Sequence, residues 1–131
     1  MQYSTAIRDA QANAVAAVTG PAPVLEIWAG PVPKDCAALD TGALLAVGTL
    51  PADWLTASAG GMVRSAKPWM LLGQIGAGMG REGDYYRIKQ GGVCHVQGPY
   101  GKGQEMQPQS ATIANGQAVS IDGFSITRGN A

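Results

Sequence analysis

Glycine punctuates this chain more than any other residue. Nineteen glycines and eight prolines interrupt 131 residues. Glycine adopts backbone angles that other residues avoid, and proline lacks an amide donor, so both end regular structure. So many stops leave room mainly for short strands joined by turns. The length suits a single domain, residues 1–131, built around one core. With 46% apolar and only 14% charged residues, the chain is set to fold rather than stay disordered.

The N-terminal segment is the exception. In YSTAIRDAQANAVAAVTGP, Tyr3, Ile7, Ala10, Ala14 and Val18 recur at a spacing near the helical repeat, which predicts a helix over residues 1–20 with that stripe inward. Ser4 or Thr5 is placed to cap its start, and Gly20-Pro21 to end it. A stripe made mostly of alanine buries little area, so this helix is expected to act as an arm or lid on a β-body spanning 23–131.

Beyond Pro23 the period becomes two. VLEIWA, Val24–Ala29, reads as a strand with Leu25 and Ile27 on one face and Glu26 and Trp28 on the other. Residues 30–42 form a proline-bearing loop, and 44–50 the next strand. GDYYRIKQ and VCHVQG form a hairpin. A three-residue loop, Gln90-Gly91-Gly92, pairs Ile88 with Cys94 and Tyr86 with Val96, leaving Tyr85, Arg87, Lys89 and His95 on a wetter face. SATIA and QAVSI, around Asn115-Gly116, suggest a second hairpin. A bulge at Asp122-Gly123 would bring Val119, Ile121, Phe124 and Ile126 to one side. The expected fold is mainly β: an antiparallel sandwich or jelly roll of about seven or eight short strands with an N-terminal α-helix.

The stretch most suggestive of chemistry is GAGMGREG, residues 76–83, which contains G-x-G-x-x-G. A dinucleotide site needs a helix directly after the glycines, to hold the pyrophosphate at its N-terminus. Here DYYRIK follows, alternating like a strand, so the stretch reads as a loop. No G-x-S-x-G or H-E-x-x-H occurs, and the pairs Asp35/Asp40 and Glu82/Asp84 fall in loops suited to solvated charge. His95 reads as a surface histidine. Cys36 and Cys94 lie in no CxxC or Cys/His cluster and are expected as free thiols, at least partly buried. No catalytic, cofactor or metal site is assigned, and the chain is expected not to be an enzyme. Nine basic residues balance nine acidic ones, which disfavours nucleic-acid and anionic-membrane partners. Apolar runs such as WMLL are too short to span a bilayer, and MQYSTAIRDA lacks signal-peptide character, so synthesis in the cytoplasm is the default expectation. Trp54, Trp69, Tyr85 and Tyr100 sit by turn signals or on the outer face. With Tyr3 and Ile7 on the helix, they are the candidate interface residues.

Several segments together resemble a family of small structural proteins of tailed bacteriophages: YSTAIRDAQANAV, VLEIWAGPVP, GTLPADW, GDYYRIKQGGVCHVQG and SATIANGQAVSIDGFSIT. The resemblance implies a virion component of the capsid cement or decoration class, a small β-sandwich or jelly roll on the outside of the head. It further implies contact with the major capsid protein and a homo-oligomer, with a trimer favoured and a dimer possible. Candidate arms are the helix, the loop 30–42 and the glycine loop 73–83. The alternative is a tail, baseplate or fibre module binding a host glycan or another tail protein.

Overall fold

The computed structural model describes residues 2–57, 59–60, 62–65, 68–101, 106–108 and 112–127. One helix, α1 (Thr5–Thr19), precedes ten strands: β1 (Val24–Ala29), β2 (Ala43–Thr49), β3 (Met62–Arg64), β4 (Trp69–Gly73), β5 (Arg81–Glu82), β6 (Tyr85–Gln90), β7 (Val93–Pro99), β8 (Met106–Pro108), β9 (Thr112–Ile113) and β10 (Ala118–Thr127). Eight of them make one sheet, and β5 with β9 makes a two-stranded ribbon. The mainly-β antiparallel class with an N-terminal helix is therefore observed. The termini of the expected domain, Met1 and 128–131, lie outside the described residues.

Helix α1 begins where expected. The Ser4 hydroxyl accepts the Ile7 amide at 3.3 Å, and Gly20, at φ +90°, donates to the Ala16 carbonyl at 2.9 Å. Its buried face is not the expected one. Ala12 and Thr19 are buried and Val15 and Ala16 pack on the core, whereas Ile7, Ala10, Ala14 and Val18 face outward. The two alanine-rich faces differ by a few methyl groups, each worth about 0.8 kcal/mol. Tertiary contacts choose between them: Trp54 Nε1 donates to the Gly20 carbonyl at 3.2 Å, and the Arg8 guanidinium to Gly60 at 3.2 Å.

In the sheet, β2 and β6 flank β1, β4 follows β2, and β7 follows β6, all antiparallel. The long β10 pairs with β4 through Ala118–Ile121, with β3 through 125–127 and with β8 through 121–124. A bridge between Tyr100, beyond the end of β7, and Met106 of β8 joins the β7 end of the sheet to the strand that pairs with β10 near its other end, so the sheet curls around its own core. Leu25, Ile27, Trp69, Leu71, Tyr86, Ile88, Val119, Ile121 and Phe124 point inward and join Leu50, Trp54, Tyr100, Met106 and Ile113 in one cluster. Aromatic rings form its spine. Trp69 lies 6.1 Å from Trp54 and 5.3 Å from Phe124, and Tyr86 meets Phe124 edge-on at 5.6 Å. The register shift at Asp122-Gly123 keeps Val119, Ile121, Phe124 and the half-buried Ile126 on the core side, as the parity of the sequence requires.

Two hairpin expectations are corrected. The β6–β7 turn is the two-residue Gly91-Gly92, with φ of +59° and +81°, the left-handed pair that such tight turns use. A bulge then restores parity: Lys89 pairs with Cys94, but Ile88 pairs with Val96. Moving the extra residue from the loop into the strand satisfies the same apolar face. The second hairpin does not form between its expected strands. β9 pairs with β5, and the Asn115-Gly116 turn wraps Gly73, whose amide donates to Gln117 at 2.7 Å and whose carbonyl accepts Gly116 at 3.0 Å. Ser110 and Ala111 of the expected first strand lie outside the described residues.

Candidate interaction surface

The outward side of β6 carries Tyr85, Arg87 and Lys89, which alternation alone assigns to water. The loop 30–42 lies over them. Tyr85 is wholly buried, its hydroxyl donating to the Thr41 carbonyl at 2.7 Å and accepting the Thr41 amide at 3.0 Å. Trp28, one strand away, stacks on the Tyr85 ring at 6.3 Å with its indole N–H on Glu26. Arg87 is only 2% exposed and spends three donors inside the molecule: Nε to Gln97 at 3.1 Å, Nη1 to Asp40 at 2.8 Å and Nη2 to the Asp35 carbonyl at 2.9 Å. Gln97 in turn donates to the Pro33 carbonyl at 3.0 Å. At the front of the loop, Gly30 donates to the Asp84 carboxylate at 2.7 Å, and the Thr41 hydroxyl donates to Pro31.

A disulfide between Cys36 and Cys94 ties the tip of this loop to β7, with Cα atoms 5.2 Å apart. This overturns the expectation of free thiols. The cysteines are 58 positions apart, and spacing carries no signal for a pair that only the folded loop brings together. The loop is thus a fastened shoulder rather than a loose arm, and Asp40 is an ion-pair partner rather than a solvated charge.

The shoulder is electrically closed. Lys89 bridges Asp40 at 2.7 Å and Glu26 at 2.9 Å, and Arg87 holds the other Asp40 oxygen. Burial by itself would raise the Asp40 pKa, but the Lys89 ammonium and Arg87 guanidinium outweigh it and hold the carboxyl below its usual range. Burial likewise opposes the charge on Lys89, and Asp40 and Glu26 overcome it, raising that pKa. The two cations and two carboxylates satisfy one another, so the cluster offers no free charge for a ligand. Beside it, a cavity of about 270 Å³ lies between the loop tip and the Gly92–Cys94 end of the hairpin.

The candidate interface residues are redistributed. Trp54, Trp69, Tyr85 and Tyr100 are all at most 5% exposed, so none is a surface anchor. Turn signals mark where the chain bends, not which way a ring points, and these rings fill the core or lie under the shoulder. Tyr3 is half-buried, and Ile7 is 48% exposed on the outer face of α1. Sequence reasoning missed the side chains that do protrude: Val18, Val32, Leu39, Met70, Leu72, Ile75, Met79 and Val93. Leu39 at the shoulder tip and Ile75 and Met79 in the glycine loop are almost fully in solvent. Alternation of β4 predicts Met70 and Leu72 outward, but loop positions obey no period.

The glycine loop itself holds a short 3₁₀ turn (Ile75–Ala77), then β5, and leads into strand β6. A strand therefore stands where a nucleotide fingerprint requires a helix. Gly83 has a packing role instead: a Cβ there would sit 2.6 Å from the Tyr100 ring and 2.7 Å from Ile27. Among the described residues, no group of three or more His, Cys, Asp or Glu could hold a metal ion, and no helix is long and apolar enough to cross a membrane. His95 is exposed. The most distinctive surface features are thus apolar side chains raised on fixed supports, an arrangement suited to contact with another macromolecule. Compared with known proteins, the chain matches no protein-family model, no curated protein and no solved structure.

Proposed function

We propose that this chain is a non-enzymatic structural protein of a tailed-bacteriophage virion, a capsid cement or decoration protein that bridges neighbouring major capsid protein subunits on the head exterior as a homo-oligomer. The supporting observation is where apolar side chains are exposed. Six of the nine exposed large hydrophobics among the described residues lie on α1 (Ile7, Val18), the shoulder (Val32, Leu39) and the glycine loop (Ile75, Met79). Those are the three segments of this chain that the sequence offers as candidate arms. Exposed apolar groups raised on a rigid body gain free energy when a partner covers them. On a symmetric shell, modest contacts add through avidity. The mainly-β antiparallel body, with its β5–β9 ribbon and α1, is a scaffold of the coarse class that such proteins use.

Cryo-electron microscopy of intact particles tests this reading. Hundreds of copies on the head support it, and a handful of copies at the tail refute it. A variant combining Leu39→Asp, Ile75→Asp and Met79→Asp should leave the melting temperature unchanged and abolish decoration of stripped heads. The alternative is a tail, baseplate or fibre module binding a host glycan or another tail protein. Its glycan form loses the ring platform, because Trp54, Trp69 and Tyr85 are buried, and copy number and position on the particle test its protein-binding form.

A further inference from the structure

We propose that folding precedes covalent closure of Cys36 and Cys94: the docked shoulder brings the thiols together, and oxidation then locks the loop tip that carries Leu39. The chain thereby completes its fold in a reducing compartment and gains its cross-link on meeting an oxidant. This inference does not rest on the function proposed above.

The fastenings of the shoulder make the case. None of them involves sulfur, and they grip the loop on both sides of Cys36. Before it stand the Gly30–Asp84, Gln97–Pro33 and Arg87–Asp35 contacts, at 2.7, 3.0 and 2.9 Å. After it stand Asp40, held by Arg87 and Lys89 at 2.8 and 2.7 Å, and Thr41, held by Tyr85. Only residues 36–39 lie between the fastened Asp35 and Asp40. The same holds for the other thiol, because Cys94 is the registered partner of Lys89, the residue that grips Asp40. Folding therefore closes the 58-position separation between the cysteines before any sulfur reacts. What the bond adds locally is a restraint on four residues, one of them Leu39 at 87% exposure, beside Val93 at 59%.

The chemistry needs only a small-molecule disulfide such as oxidised glutathione. Cys36 and Cys94 are both half-buried, so one can be reached from solvent. One cysteine thiolate attacks a glutathione sulfur and expels a glutathione thiolate. The second cysteine thiolate then attacks the protein sulfur of the mixed disulfide and expels the other glutathione. The protein pair is oxidised by two electrons, and oxidised glutathione becomes two reduced molecules.

Hydrogen exchange on the wild-type protein, oxidised and fully reduced with a phosphine, tests the order of events. The Gly30 and Thr41 amides should stay protected in both states. The Ala38 amide, which donates to Asp35 at 3.2 Å inside the tip, should exchange at least tenfold faster after reduction. If Gly30 and Thr41 lose protection together with Ala38, the disulfide holds the shoulder down and the proposal is overturned. A second readout uses mass spectrometry during oxidation by glutathione disulfide. Reduced wild type should pass to the internal bond with little mixed disulfide, and Tyr85→Phe/Asp40→Asn should accumulate at least tenfold more. Equal accumulation overturns the proposal. Should that variant fail to fold, the exchange pattern of the wild type still decides.

Discussion

Removing the Cys36–Cys94 cross-link should weaken the fold by an amount the chain-entropy relation sets. A bond between cysteines 58 positions apart restricts the unfolded chain by about 14 cal/mol/K, or about 4 kcal/mol at 25 °C. For 131 residues, the entropy of unfolding near 60 °C is about 275 cal/mol/K, so the melting temperature should fall by about 15 °C. The native shoulder keeps its Arg87, Gln97 and Tyr85 contacts, so the loss should reflect the unfolded ensemble rather than a broken surface. The assay is calorimetry of wild type with and without a phosphine reductant, beside Cys36→Ser/Cys94→Ser. Reduced wild type and the double variant should melt together, both still folded at 25 °C by circular dichroism. A drop below about 5 °C would refute the entropic argument, because the unfolded chain would then gain little freedom on reduction. A double variant melting far below reduced wild type would show instead that the sulfur atoms matter as packing.

Other perturbations separate packing, charge and backbone effects. Arg87→Met strands the Asp35 carbonyl and the half-buried Gln97, and should cost about 3 kcal/mol in urea unfolding; Arg87→Lys should recover less than half, since one ammonium cannot reach three acceptors in a plane. Gly42→Ala should cost about 2–4 kcal/mol, because Gly42 has φ +84° and a Cβ there would lie 1.9 Å from the Ala29 oxygen. Gly91→Ala, at φ +59° in open space, should cost only about 1 kcal/mol, so equal losses would show that close approach is not what selects Gly42. Stability should be flat across the neutral range. It should fall below pH 3.8 as Asp40, whose folded pKa is depressed, takes up a proton and gives up its ion pairs with Lys89 and Arg87. At the alkaline end the Tyr100 phenol, pushed up to about 12 by burial, keeps a proton that the unfolded chain releases above pH 10.0, so stability declines between those values. Lys89, raised above 10.5, adds to the same alkaline loss. Tyr100→Phe should flatten the alkaline slope, and an unchanged slope would remove Tyr100 as its cause.

Much of the fold was legible because alternation and punctuation are local. β1 has the expected bounds and inward residues, since Leu25 and Ile27 alternate with Glu26 and Trp28 between Pro23 and Gly30. The bulge in β10 was legible because four apolar residues on mixed parity can share a core in no simpler way. The extra residue in the β6–β7 hairpin was visible, but its place was not, because a longer loop and a bulged strand serve the same face. The inward stripe of α1 was misread for a related reason: alanines on several faces leave the helix almost symmetric in hydrophobicity. The β5–β9 pairing gave no signal, since two-residue strands show no period.

By itself, then, the order of residues determined a glycine-broken, mainly antiparallel chain with one capped helix, because those properties depend on neighbours along the backbone. Which outward face of β6 meets water was decided only in three dimensions. The loop 30–42 comes from four strands earlier in the chain's path, covers a nominally wet face so that Tyr85 and Arg87 are buried, and sets Cys36 against Cys94. Nothing local to either segment encodes that meeting, because the free energy resides in contacts that exist only once the loop has docked.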